Sequence, residues 1–263
     1  MNRLLKFIVS VFFLLLAACV MFAQPAEPDL RQEIDDIKQN QQAIQQDLSE
    51  IKALLSKLAA QNPLQKPAAQ QPPQIDIKGI EFNIGDNPIL GKESARLILV
   101  EITDYQCPFC GRYSRETFPQ LRERYVDKGL IRYAVIDQPL TMHPEAAKAA
   151  EAAHCAENQG KFWEMHDEMM AKQDGLKDLT SYAETLKMNV SQFEDCLNTG
   201  KYRNVVSKNM ETAKELGING VPFFIIATVD ESDSRKATGV SMIRGAVPFA
   251  NFLLEIDAAL QRE

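Results

Sequence analysis

Residues 105–113 read YQCPFCGRY, with Cys107 and Cys110 separated by Pro108 and Phe109. Three chemistries use that spacing. A redox pair needs one thiol that ionises and attacks, and a second, one turn away, that resolves the mixed disulfide. A structural zinc site needs two more ligands. The chain has no second C-x-x-C and no spaced histidine pair among His143, His154 and His166, which are expected to be caps or surface groups. Two inert buried thiols need nothing else. The flanks favour the redox pair. The apolar run ARLILVEITDY precedes the motif and a helical pattern follows it. Cys107 therefore falls at a helix N-terminus, with Pro108 in the first turn, where a missing N–H costs nothing. The free N–H groups and the helix dipole there favour a thiolate.

The elements that must position this pair read as mixed α/β. GIEFNIG and ARLILVEITDY are expected strands, the second suited to a buried sheet centre. A helix is expected from about Pro108 to Asp127, then a strand in LIRYAVIDQ. From Pro144 to Leu216 the pattern is helical, with breaks near Gly160, Gly175, Val190 and Gly200. PFFIIATV and KATGVSMIRG return to strand, and VPFANFLLEIDAALQR closes with a helix. The expected core is thus a thioredoxin-like fold over residues 79–263 with a helical insertion at about 140–216.

Residues 1–78 carry a different design. MNRLLKFIVSVFFLLLAAC combines basic Arg3 and Lys6 with an apolar run, the pattern of an export signal. Leu16–Cys19, LAAC, has the form of a bacterial lipobox. It implies a signal peptide over 1–18 and a lipid on Cys19; cleavage after Ala23, discarding Cys19, is the alternative. Export places the chain in the periplasm or cell envelope, where disulfides persist. Cys155 and Cys196 are then read as a structural disulfide, with two separate buried thiols as the alternative. Residues 19–60 hold a heptad repeat, with Ile34, Gln41, Leu48 and Leu55 at a. Leu30, Ile37, Ile44, Ile51 and Leu58 stand at d. Glu33 with Lys38, and Asp47 with Lys52, are placed to pair between parallel chains. Isoleucine at d with leucine at a favours a trimer or tetramer over a dimer. The alternative is one amphipathic helix packed on its own domain, but the stripe is narrow for that. Residues 61–78, rich in proline and glutamine, read as a semi-rigid linker. The net charge of −7, with no basic cluster, argues against a nucleic-acid partner.

Three stretches in order, VEITDYQCPFC, AHCAENQGKFWEMHD and LGINGVPFFII, resemble the DsbA-like thiol-disulfide oxidoreductases of the thioredoxin superfamily. The resemblance covers most of 79–263 and implies Cys107 as nucleophile and Cys110 as resolving thiol. It implies Glu101 as the buried acid under the pair, against the alternative of a solvent-facing strand residue. It also makes Gly220–Phe223 the cis-proline loop, so that Val221 and Pro222 contact substrate. Phe223 departs from the smaller residue common there. Phe109 departs from the histidine of strongly oxidising members, which implies a less depressed Cys107 pKa and a weaker oxidant. No cofactor or metal is expected, since two sulfurs carry the chemistry.

The expected partners are cysteine-containing exported proteins and a membrane redox partner. Several active sites on one stalk raise their effective concentration around one substrate. That geometry suits a disulfide isomerase or reductase more than a pure dithiol oxidase. A surface-anchored binding or structural protein is the reading from another class, and copper(I) binding by the thiols a smaller one. A domain without turnover has no need of Cys107, Cys110, Glu101 and Pro222 together.

Overall fold

The computed structural model describes residues 30–61 and 75–262. They form two separate units. The signal segment, Cys19 and most of the linker lie outside the described residues. Among the described residues no helix is long and apolar enough to cross a membrane.

The first unit contributes one helix, α1, Leu30–Gln61. Its heptad side chains Ile34, Ile37, Ile44, Leu48 and Ile51 are all more than two-fifths exposed in the single chain. Lys38 lies 3.5 Å from Asp35 along the same helix.

The second unit is built on a six-stranded sheet in the order β1-β6-β5-β3-β4-β2. The strands are β1 (Glu81–Asn83), β2 (Ile89–Leu90), β3 (Leu97–Thr103), β4 (Ile131–Asp137), β5 (Phe223–Val229) and β6 (Lys236–Arg244). β3 pairs parallel with β4 and antiparallel with β5, so it is central and buried at all seven positions. The pleat sends alternate residues to opposite faces. Ile98, Val100 and Ile102 enter a core with Ile136, Ala213 and Ile225. Leu97 and Leu99 enter another with Tyr133, Phe224 and Phe252. Each such large apolar side chain contributes roughly 1.5–3 kcal/mol on burial. Glu101, two residues beyond Leu99, therefore points into an apolar layer.

The helices follow from the same chain. α2 (Pro108–Glu116) and α3 (Phe118–Leu121) are followed by a π-helical turn, Arg122–Val126. The single helix expected over 108–127 is thus divided. Thr117 and Pro119 mark the division, because proline offers no N–H to the preceding turn. Between β4 and β5 lie α4 (Ala146–Glu157), α5 (Phe162–Ala171), α6 (Leu179–Thr185), α7 (Val190–Thr199) and α8 (Arg203–Glu215). Gly200 ends α7 in the left-handed conformation, φ 64°, that only glycine adopts without cost. α9 (Phe249–Leu260) closes the chain by packing Phe252 and Ile256 against the β3 face.

A disulfide joins Cys155 of α4 to Cys196 of α7, with S–S 2.03 Å. It staples the helical insertion, whose core includes Ala152, Phe162, Met165, Met169 and Phe193.

Candidate active site

Strand pairing brings the separated motifs together. Ile102 of β3 lies opposite Phe223 of β5, so the end of β3 meets the start of β5. The chain leaving β3 turns through Asp104–Gln106 and delivers Cys107 to the N-cap of α2, in extended conformation at φ −74° and ψ 121°. Pro108 occupies the first turn. The chain entering β5 carries Val221 and Pro222, joined by a cis peptide bond. Cys107 Sγ lies 3.9 Å from the Val221 carbonyl oxygen. A groove of about 230 Å³ runs beside this loop, lined by Ile75, Gly220, Val221, Pro222, Phe223 and Arg244 among others.

The two thiols are free and differ in environment. Cys107 is 4% exposed and Cys110 is sealed at 0%. The Cys107 pKa is lowered from 9.0 to about 6. A hydrogen bond from Cys110 is the chief cause, aided by the backbone N–H groups of Cys110 and Phe109, while burial and Asp104 oppose it. Burial pushes the Cys110 thiol far up, helped by its neighbour Cys107 and the nearby Glu101. The pair is therefore poised with one sulfur as thiolate and the other holding its proton.

Glu101 is completely buried, so the alternative of a solvent-facing residue is excluded. It pairs with Val135 on β4 and Phe224 on β5 and accepts a hydrogen bond from the Tyr133 hydroxyl. Burial raises its pKa, with His166, Thr103 and Tyr133 pulling the other way. Phe109, by contrast, projects outward at 57% exposure, with the Arg112 guanidinium 5.4 Å from its ring centre.

The structure thus brings Cys107, Cys110, Glu101, Val221 and Pro222 to one end of the sheet. Cys155 and Cys196 form a separate bond in the helical insertion, and Cys19 lies outside the described residues.

Sequence reasoning missed three participants in this arrangement. Gln173 donates from Nε2 to the carbonyls of Tyr105 (2.8 Å) and Cys107 (2.9 Å), tying the turn to the insertion. Nothing in the local sequence around Gln173 signals this. Asp104 accepts the Gln106 N–H at 2.7 Å and the Cys107 N–H at 3.1 Å. Here a signal existed, since an aspartate before a turn commonly caps backbone N–H groups two or three residues on. His143 meets the same carboxylate at 2.8 Å.

Two histidines depart from the expectation of caps or surface groups. His154 is buried against Asp137 at 2.9 Å, and His166 is fully buried with its ring edge-on to Tyr105, 5.5 Å between centres.

The thioredoxin family model matches residues 83–243, and the chain belongs to that family. Its architecture within the family is DsbA-like. It superposes with a TM-score of 0.56 on the crystal structure of Wolbachia pipientis α-DsbA1. That match has 24% identity and covers 68% of this chain and 92% of the other. A Rickettsia conorii protein carrying the name putative protein-disulfide oxidoreductase is 28% identical over 171 residues, 61% of each chain. A segment of 141 residues, 52% of this chain, is 37% identical to part of the Na(+)/H(+) antiporter NhaA 3 of Salinispora tropica. The aligned segment spans about a fifth of that protein's length, 21%.

Proposed function

We propose that this chain is a thiol-disulfide oxidoreductase that acts on exported proteins through Cys107 and Cys110. One observation carries the reading: a thiolate-poised Cys107 at a helix N-terminus, 3.9 Å from the Val221 carbonyl, with its partner thiol sealed behind it. The Cys107 thiolate attacks a substrate disulfide. A Cys107–substrate S–S bond forms, and the other substrate sulfur leaves as a thiolate that takes a proton. Two outcomes follow. The Cys110 thiol loses its proton and attacks Cys107, releasing a substrate reduced by two electrons and leaving the enzyme oxidised. Alternatively, a substrate thiolate attacks the mixed disulfide, and the substrate leaves with a rearranged bond and no net redox change. Glu101 is the acid-base group closest in role to Cys110, and the backbone of Val221 together with Pro222 holds the substrate strand.

The isomerase or reductase role is favoured over that of a dithiol oxidase. A Cys107 pKa of about 6 lies nearer the ~7 of thioredoxin than the ~3.5 of a strong oxidant such as DsbA. The exposed heptad stripe of α1 supports assembly of several copies, a trimer or tetramer, around one substrate. Lipid on Cys19 would hold that assembly at a membrane of the cell envelope, where a membrane redox partner resets the dithiol.

The test is reactivation of a scrambled-disulfide substrate by the protein from Cys19 onward, compared with a form lacking residues 24–60. Isomerase function through the stalk requires that the full form reactivates the substrate and the truncated form does not. If neither does, while both oxidise a dithiol peptide, the chain is a dithiol oxidase.

A further inference from the structure

The groups already placed in the exchange reaction leave one buried ionisable cluster beside Cys107 unused. Asp104 has a side-chain exposure of 0% and lies three residues before the nucleophile. Its Oδ1 accepts the N–H groups of Gln106 (2.7 Å) and Cys107 itself (3.1 Å). Its Oδ2 accepts the Leu140 N–H (2.8 Å) and faces His143 Nδ1 at 2.8 Å. An ionised carboxylate accepts at both oxygens, and here both are saturated. The topology explains the meeting. β3 and β4 run parallel, so the loop after β4, which carries Leu140 and His143, leaves the sheet beside the turn after β3. The Gln138 N–H, bonded to the Thr103 carbonyl at 2.7 Å, closes the two exits together. His143 keeps 16% of its side-chain exposure, so its ring edge borders solvent while Nδ1 faces the carboxylate.

We infer that Asp104 and His143 are positioning residues for the attacking thiol: His143 orients the Asp104 carboxylate, which fixes the backbone N–H of Cys107 and the turn that aims Sγ at the substrate. The arrangement carries an electrostatic cost. A buried negative charge beside Cys107 disfavours its thiolate, and Asp104 is indeed among the groups that raise the Cys107 pKa. Fixed geometry is retained at the expense of some thiolate, which the Cys110 hydrogen bond offsets.

The inference rests on Cys107 being the attacking thiol, and the experiment separates the two. Reduced full-length protein is alkylated with iodoacetamide across pH, and the labelled cysteine is identified by peptide mass. The same is done for D104N, H143F and H143N. D104N keeps an oxygen for the turn but removes the charge, so the Cys107 pKa is expected to fall by roughly half a unit or more. H143F removes the donor. Its rate of thiolate attack, measured above the thiol pKa where it no longer varies with pH, is expected to drop roughly 3- to 10-fold, the worth of one hydrogen bond. H143N, whose amide replaces the Nδ1 donor, is expected to restore most of the rate. A residue that merely packs the loop would move neither the pKa nor the rescue. Wild-type rates in H143F, or failure of H143N to recover what H143F loses, overturn the positioning role of His143. An unmoved or raised pKa in D104N overturns the electrostatic argument. Label on Cys110 instead of Cys107 overturns the exchange reading itself, whereas label on Cys107 with unchanged variants overturns only this inference.

Discussion

Replacing Cys110 with alanine should raise the pKa of Cys107, and by an amount the structure bounds. The thiolate is favoured first by the Cys110 hydrogen bond and then by the N–H groups of Cys110 and Phe109. Alanine removes only the first. A hydrogen bond to a charged group is worth about 1.5–3 kcal/mol net, and about 1.4 kcal/mol is one pKa unit, so the shift should be ~1–2 units. Starting from about 6, the midpoint should move to ~7–8, which takes the thiolate fraction at pH 7 from roughly nine-tenths to between a half and a tenth. Cys110→Ser keeps a donor in the same place and should titrate close to the wild type. Absorbance of the thiolate near 240 nm, followed across pH in the reduced protein, reads the midpoint directly. The iodoacetamide rate at pH 6 gives an independent check. A midpoint near 6 in both variants would refute the reasoning, because the helix N-terminus alone would then hold the thiolate.

Other consequences can be checked on the same protein. Burial raises the Glu101 pKa, so the folded state binds that proton more tightly than the unfolded state, and the stability it confers declines as pH rises through and above the ordinary carboxylate range. Glu101→Gln should therefore match the wild type in acid yet exceed it in urea melts at pH 8, while the resolving step slows. Cys107 has the opposite sign: its depressed pKa stabilises the reduced fold fully above pH 9.0, and the gain is lost as pH falls to about 6. Urea melts of reduced and oxidised protein should diverge in favour of the reduced form between those limits, with about 1.4 kcal/mol of the gain present at pH 7. Cys155→Ala with Cys196→Ala opens a bridge spanning 41 residues. The chain-entropy cost is ~4 kcal/mol, seen as a lower denaturation midpoint, with Cys107 alkylation retained wherever the fold persists.

The parts of the fold set by local pattern were legible. β3 announced itself as a continuous apolar run, and Glu101 inside LILVEIT had to be either a buried acid or a strand residue facing solvent. The helix N-cap at Cys107 followed from the strand before it and Pro108 after it. What stayed hidden depends on pairing between distant segments. β2 is two residues long and exists only because Ile89 and Leu90 find Ala134 and Tyr133 of β4. The burial of His154 depends on Asp137 arriving at the end of β4, a contact no helical periodicity encodes. The same holds for Asp104 and His143, which meet only because β3 and β4 are parallel neighbours. The α1 helix was visible for the opposite reason, since its apolar spacing is written along one segment of chain.

The unequal treatment of the two sulfurs also bears on how long a mixed disulfide would last. Attack by Cys107 requires no further proton transfer near neutral pH, because its thiolate is the prevailing form. Resolution by Cys110 requires removal of a proton from a fully buried thiol whose pKa burial has pushed far up. Glu101 is an anion only when it has overcome its own burial, so the base that would help is itself reluctant. In the proposed reaction the first step is therefore expected to be fast and the second to be gated by a proton that must leave a dry site. During that interval a free thiol on the bound protein competes for Cys107, and each success rearranges a bond without consuming an oxidant or reductant. Slow attack by Cys110 is a disadvantage for an enzyme that only reduces disulfides, since its turnover ends with that step. For the proposed isomerase it is the working interval, and the ratio of resolution to rearrangement should rise when Glu101 is ionised and fall in Glu101→Gln.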